Sequence, residues 1–251
     1  MAQPPAVLDH QEPSIRATAL CGRLARTAVA SWAAYVVVTA LVWNWPRLSL
    51  DRQVLNWIDS ELFSHGPVSF VLAHLGAAPV ITPLVILACA WFVLRWRAVL
   101  PAVILALSYV LVSLTVTFTK ELLRRPEPTK PRYVLGYSYP SGHAGAATAG
   151  WLGFAFCWWL LNQMAGSERR HRLPVIVGVV VVGAVWVMML VRSAHWLTDM
   201  VGGVLLGVAC MSSVAAVVLT APASRLIRML TPRMFATPVS RRRALMPRPA
   251  G

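Results

Sequence analysis

Three short stretches hold most of the residues able to do chemistry. They are Lys120-Glu121-Leu122-Leu123-Arg124-Arg125-Pro126-Glu127-Pro128, then Tyr139-Pro140-Ser141-Gly142-His143, then Arg192-Ser193-Ala194-His195-Trp196-Leu197-Thr198-Asp199. His195 and Asp199 are four residues apart, so on a helical turn they share a face. There the carboxylate accepts one imidazole N–H and leaves the other ring nitrogen as a nucleophile. His143 is a second imidazole, suited to protonate a leaving alkoxide. Lys120, Arg124, Arg125 and Arg192 suit a phosphate, which the planar arginine fork matches. Ser141 and Gly142 precede a helical run, where backbone N–H groups point at an anion. The chemistry these types suggest is transfer of a phosphoryl group.

These stretches need elements that bring them together, and the composition says which. The chain has 251 residues, 57% hydrophobic and only 13% charged, with mean hydropathy +0.63. A soluble domain carries about a quarter charged residues. Six apolar runs approach the ~20 residues that a spanning helix needs. They lie near 28–45, 77–94, 98–119, 143–161, 173–191 and 200–219. The fold class expected is an all-α integral membrane protein, a six-transmembrane-helix bundle. Within residues 48–76, Leu50, Val54, Ile58 and Leu62 recur at helical spacing, with Asp51, Asp59 and Glu61 between them. That pattern predicts an amphipathic helix lying at the interface after the first span. The expected organisation is a cytoplasmic tail over 1–27, a membrane domain over 28–220 and a basic Pro/Arg-rich tail over 221–251. The first apolar run follows a basic tail and reads as a retained span rather than a cleaved signal.

Alternation of six spans puts the three stretches on one face of the membrane. The first follows span three, the second opens span four, and the third joins spans five and six. Ionisable residues at span ends are a functional signal. With the N-terminus in the cytoplasm, 15 of the 23 Lys and Arg fall on the cytoplasmic side and 8 on the other. The bias agrees with the positive-inside rule and puts the site on the extracytoplasmic face. Six of those 8 lie in two of the chemistry-bearing stretches, if Lys130 and Arg132 are counted with the first. The net charge of +14 therefore reports loops on a membrane protein, and no nucleic-acid partner is expected.

Order, spacing and span placement together resemble the type 2 phosphatidic-acid phosphatase superfamily of membrane lipid phosphatases, over roughly residues 28–220. The family pattern has a lysine, six residues and Arg-Pro; then Pro-Ser-Gly-His; then Ser-Arg, five residues, His, three residues and Asp. Lys120 matches the first block, Pro140-Ser141-Gly142-His143 the second without change, and His195 and Asp199 the third. Both family arginines are displaced. The first position falls at Glu127-Pro128, although Arg125-Pro126 matches an extra Arg-Pro that members often carry. The second falls at Met188-Met189, and Arg192 lies about one helical turn later. The resemblance implies a phosphohistidine on His195, oriented by Asp199, with His143 protonating the leaving group. It also implies a phosphate held by Lys120, Ser141, Gly142 and substitute cations among Arg124, Arg125, Arg132 and Arg192.

The expected activity is metal-independent hydrolysis of a lipid phosphate or diphosphate ester, without a cofactor. An isoprenoid diphosphate, phosphatidic acid or phosphatidylglycerol phosphate would suit the site, and membrane lipids are its other partners. Two alternatives use the same residues: a lipid phosphotransferase, and a non-catalytic lipid-phosphate binder or transporter. The Arg- and Ala-rich composition fits a bacterial inner membrane. Other residues have plainer readings. His65 and His74 read as packing or headgroup residues, and His10 and His171 as solvated. Trp43, Trp45, Trp57 and Trp196 read as an interfacial belt, and Gly202, Gly203 and Gly207 as close helix packing. Cys21, Cys89, Cys157 and Cys210 have no metal-ligand spacing and read as small apolar residues.

Overall fold

The structure is a computed structural model and describes residues 12–62, 66–128, 137–164 and 172–220. His10, His65, Lys130, Arg132, His171 and the tail from 221 lie outside the described residues. In chain order the helices are α1 (Glu12–Asn44), α2 (Ser49–Glu61), α3 (Pro67–His74), α4 (Ala78–Trp96) and α5 (Val99–Leu123). Then come α6 (Gly142–Ala147), a π-helical turn (Thr148–Leu152), α7 (Gly153–Met164), α8 (Arg172–Val191) and α9 (Leu197–Leu219). The described residues are all helix and connection, with no strand.

Among the described residues, six stretches are long and apolar enough to cross a bilayer: Thr18–Asn44, Ala78–Trp96, Val99–Leu123, Gly142–Gln163, Arg172–Val191 and Leu197–Leu219. The six expected runs are therefore six helices, and the protein is an integral membrane protein. The first helix starts at Glu12, well before the apolar run from Ala28, because the polar residues ahead of that run are themselves compatible with helix. Val36, Leu94, Leu114, Phe118 and Val180 are each exposed, as a lipid-facing surface requires.

Span ends follow from local chemistry. Arg124 closes α5 in the left-handed conformation at φ 47°, and Pro126 then prevents the helix from resuming. Ser141 caps α6, its hydroxyl oxygen accepting the Ala144 N–H at 3.3 Å. Asp199 stands in the first turn of α9 and accepts the Trp196 N–H at 2.9 Å.

Two apolar clusters hold the bundle. One runs through its centre and includes Phe92, Ile104, Leu105, Cys157, Leu206 and Cys210. The other, which includes Ile58, Ala73, Ala144, Ala147, Val185 and Met200, joins α2 and α3 to α6, α8 and α9. Glycines let α9 approach α6 closely. A Cβ on Gly203 would meet the Ser141 carbonyl oxygen at 2.5 Å, and one on Gly207 would meet Thr148 Cβ at 2.6 Å. This backbone approach fixes the Ser141-His143 turn against the start of α9.

The segment between the first two spans holds two helices, α2 and α3. α2 is the expected amphipathic helix, with Leu50 and Trp57 exposed and Ile58 buried. α3 leads into α4 through a tight turn at 75–77.

Candidate active site

The end of α5, the start of α6 and the start of α9 converge at one end of the bundle. His195 is 6% exposed and Asp199 is fully buried. His195 Nδ1 faces Asp199 Oδ2 at 3.3 Å, which leaves Nε2 as the outward ring nitrogen. The rings of His143 and His195 are 6.2 Å apart at 62°. Lys120 is half-buried one turn from the end of α5, an electrostatic neighbour of His143, Asp199 and Glu127. The structure thus brings Lys120, His143, His195 and Asp199 together, with Ser141 and Gly142 beside them at the head of α6. The Ser141 N–H donates to the Asp199 carbonyl at 3.0 Å, so the two motifs are joined through their backbones.

The arginines are placed differently from one another. Arg125, a phosphate ligand by expectation, is 1% exposed, and four of its five N–H donors are used within the protein. Nη1 donates to Asp199 Oδ1 at 2.5 Å and to Thr198 Oγ1 at 2.8 Å. Nη2 donates to Asp51 Oδ2 at 2.6 Å, and Nε donates to the Pro46 carbonyl at 2.9 Å. The ring of Trp196 lies 5.4 Å from its Cζ. Two carboxylates supply the fixed counter-charge that a buried guanidinium needs. Arg192 rests against α3, with Nη1 3.3 Å from Ser69 Oγ and Cζ 5.4 Å from the Phe70 ring centre. Arg124 is exposed at the end of α5, its Cζ 5.9 Å from the Tyr137 ring centre.

Asp51 is the residue that sequence reasoning missed. It sits among the polar positions of an amphipathic helix, where a solvated side chain is the ordinary reading. In the structure it is 1% exposed. Besides Arg125, it accepts the Thr198 N–H at 3.0 Å and the Thr198 hydroxyl at 2.8 Å. Its partners lie 74 and 147 positions away, so no local pattern marks them. α2 grips the same loop again, where the Ser193 hydroxyl donates to Asp59. Ser193 is held there at φ 49°, a conformation that a non-glycine residue rarely adopts.

Tyr139 supports the site from below. Its buried ring fills the space left by Gly202, and its hydroxyl meets Thr39 Oγ1 at 2.8 Å. Thr39 gives its own hydrogen to the Tyr35 carbonyl at 2.7 Å, so Tyr139 is the donor in that bond. Burial raises the Tyr139 pKa well above its ordinary value, and the phenol stays protonated.

Residues 98–222 match the profile of the PAP2 superfamily. That match covers the three stretches from Lys120 to Asp199. The fold is similar to that of a solved structure described as the first transmembrane PAP2 type phosphatidylglycerolphosphate phosphatase from Bacillus subtilis. The TM-score is 0.64 at 18% sequence identity, over 75% of this chain and 94% of that one. No curated protein matches the chain.

Proposed function

Since residues 98–222 belong to the PAP2 superfamily, we propose that this protein is a membrane lipid phosphatase that works through a phosphohistidine on His195. The family fold supports lipid phosphate hydrolysis in general. The observation that carries the finer reading is the buried His195–Asp199 pair with His143 beside it. A nucleophile, its orienting carboxylate and an acid are within reach of one reacting phosphorus.

The reaction runs in two steps. Nε2 of His195 bonds to phosphorus as the ester P–O bond breaks, and the leaving oxygen takes a proton from His143. Nδ1–H of His195 stays on Asp199, which steadies the imidazolium charge that develops. Water then adds to phosphorus, gives its proton to His143, and splits the P–N bond. Inorganic phosphate leaves and neutral His195 returns. Lys120 and the first N–H groups of α6 hold the phosphoryl oxygens as their charge grows. Arg125 acts one shell further out: it fixes Asp199 rather than the substrate.

No metal is needed in this scheme. The charge count favours an extracytoplasmic site in a bacterial inner membrane. Suitable substrates are phosphatidic acid, phosphatidylglycerol phosphate and an isoprenoid diphosphate.

The test is phosphate release by the purified protein in detergent from those three lipids, with EDTA present and His195→Ala as control. The expected result is release that resists chelation and disappears in the variant. Release that survives in His195→Ala overturns the mechanism.

A further inference from the structure

His74 is the last residue of α3, outside all three motifs. Its ring is 6.5 Å from that of His143, at 83°. His143 therefore neighbours two imidazoles, His195 in the connection ahead of α9 and His74 at the end of α3. His74 Nδ1 donates to the Phe70 carbonyl at 2.7 Å, one helical turn back. That bond sets the tautomer and leaves Nε2 as the nitrogen available to a ligand.

Neighbouring contacts fix this placement. A Cβ on Gly76 would meet the His143 carbonyl oxygen at 2.7 Å, so the α3–α4 turn lies directly against the His143 backbone. Trp151 Nε1 donates to the Leu75 carbonyl at 3.1 Å and ties the same turn to the π-helical segment. Phe70 stacks on His74 with ring centres 3.8 Å apart, and the same phenyl ring carries the Arg192 guanidinium. Phe70 thus gathers a guanidinium and an imidazole on the α3 side of His143.

We propose that His74, with Arg192, binds a second phosphate on the leaving-group side and selects lipid diphosphates over monoesters. The proposal rests on the phosphatase reading above. When His195 attacks the terminal phosphorus of a diphosphate, the bond to the bridging oxygen breaks. That oxygen stays with the lipid phosphate, which departs past His143. His74, the other ring beside His143, meets it there. A monoester's leaving oxygen takes the proton from His143 and departs as a neutral alcohol, with no phosphate charge for His74 or Arg192 to hold. The chemistry has a second consequence. A departing phosphate is a far weaker base than an alkoxide, so it depends less on the proton from His143.

The experiment compares a prenyl monophosphate with the diphosphate of the same chain, in wild-type, His74→Ala and His74→Gln proteins. His74→Ala is expected to lower kcat/KM for the diphosphate about ten-fold, the size of one lost hydrogen bond to a charged group. The monophosphate changes by less than about two-fold on the same scale, and His74→Gln recovers part of the loss. Equal losses on both esters, or none on either, overturn the proposal. A second measurement uses wild-type protein alone. A methylene-bridged lipid diphosphonate is expected to inhibit about ten-fold more tightly than the simple phosphonate, and equal inhibition also overturns the proposal. Cleavage of the monophosphate with no selectivity change sinks the role of His74 alone. No release from any lipid sinks the phosphatase reading beneath it.

Discussion

Arg125 and Asp199 meet at 2.5 Å, with side chains only 1% and 0% exposed. The same guanidinium holds Asp51 at 2.6 Å. One cation thus joins the interfacial helix α2 to the carboxylate that orients His195. Arg125→Lys keeps the charge but loses the fork that spans both carboxylates. It is expected to lower kcat about a hundred-fold by misplacing Asp199, with KM nearly unchanged. A rise in KM with kcat intact would instead return Arg125 to the phosphate.

Asp51→Ala removes one of the two carboxylates from Arg125 and both acceptors from Thr198. Breaking a buried ion pair from one side costs about 3 kcal/mol. The variant is expected to unfold at clearly lower temperature in detergent, while Asp51→Asn, which keeps an acceptor for Thr198, loses less. Wild-type stability in Asp51→Ala would show that α2 is not clamped to the site in solution.

The contrast between Asp51 and the motif residues shows what a sequence can reveal. The six spans were legible because an apolar run long enough to cross a bilayer has few other readings. The gathering of Lys120, His143, His195 and Asp199 was legible because alternating spans place the ends of α5, α6 and α9 on one face. Asp51 was not, because it lies on a short helix whose docking depends on contacts far away in the chain. The buried partners of Arg125 were hidden for a related reason. An arginine beside a phosphate motif looks like a phosphate ligand until the buried carboxylates that claim it are located.

Gly203→Ala and Gly183→Ala make a matched pair. A Cβ at Gly203 meets the Ser141 carbonyl at 2.5 Å, a backbone atom that cannot swing aside. The change is expected to destabilise the protein by about 2 kcal/mol and to reduce activity by prising α9 from α6. A Cβ at Gly183 meets nothing within 4 Å, and alanine there favours helix. That variant should be at least as stable as wild type. Thermal unfolding of both checks the packing, and equal effects would contradict it.

Tyr139→Phe removes a buried hydroxyl but no charge, because burial keeps the phenol protonated. The hydrogen bond to Thr39 is worth about 1 kcal/mol. The expected outcome is a small loss of stability with an unchanged pH–rate profile. A shifted profile would show that Tyr139 titrates with the catalytic groups.

Membrane orientation can be read from single cysteines placed at exposed Arg47 and Arg97 in a cysteine-free background. Arg47 lies near the Pro46 carbonyl that Arg125 holds, at the site end. Arg97 lies in the turn between α4 and α5. An impermeant maleimide is expected to label position 47 in intact cells and not position 97. The reverse pattern would put the site in the cytoplasm.

A phosphohistidine on His195 is tested most directly by trapping it. Purified protein would be mixed with a lipid carrying a radiolabelled terminal phosphate, quenched in alkali and digested. Label is expected on the peptide containing His195, stable in alkali, lost in acid and absent from His195→Ala. Turnover with no labelled protein at any quench time, together with phosphate release that persists in His195→Ala, would contradict it.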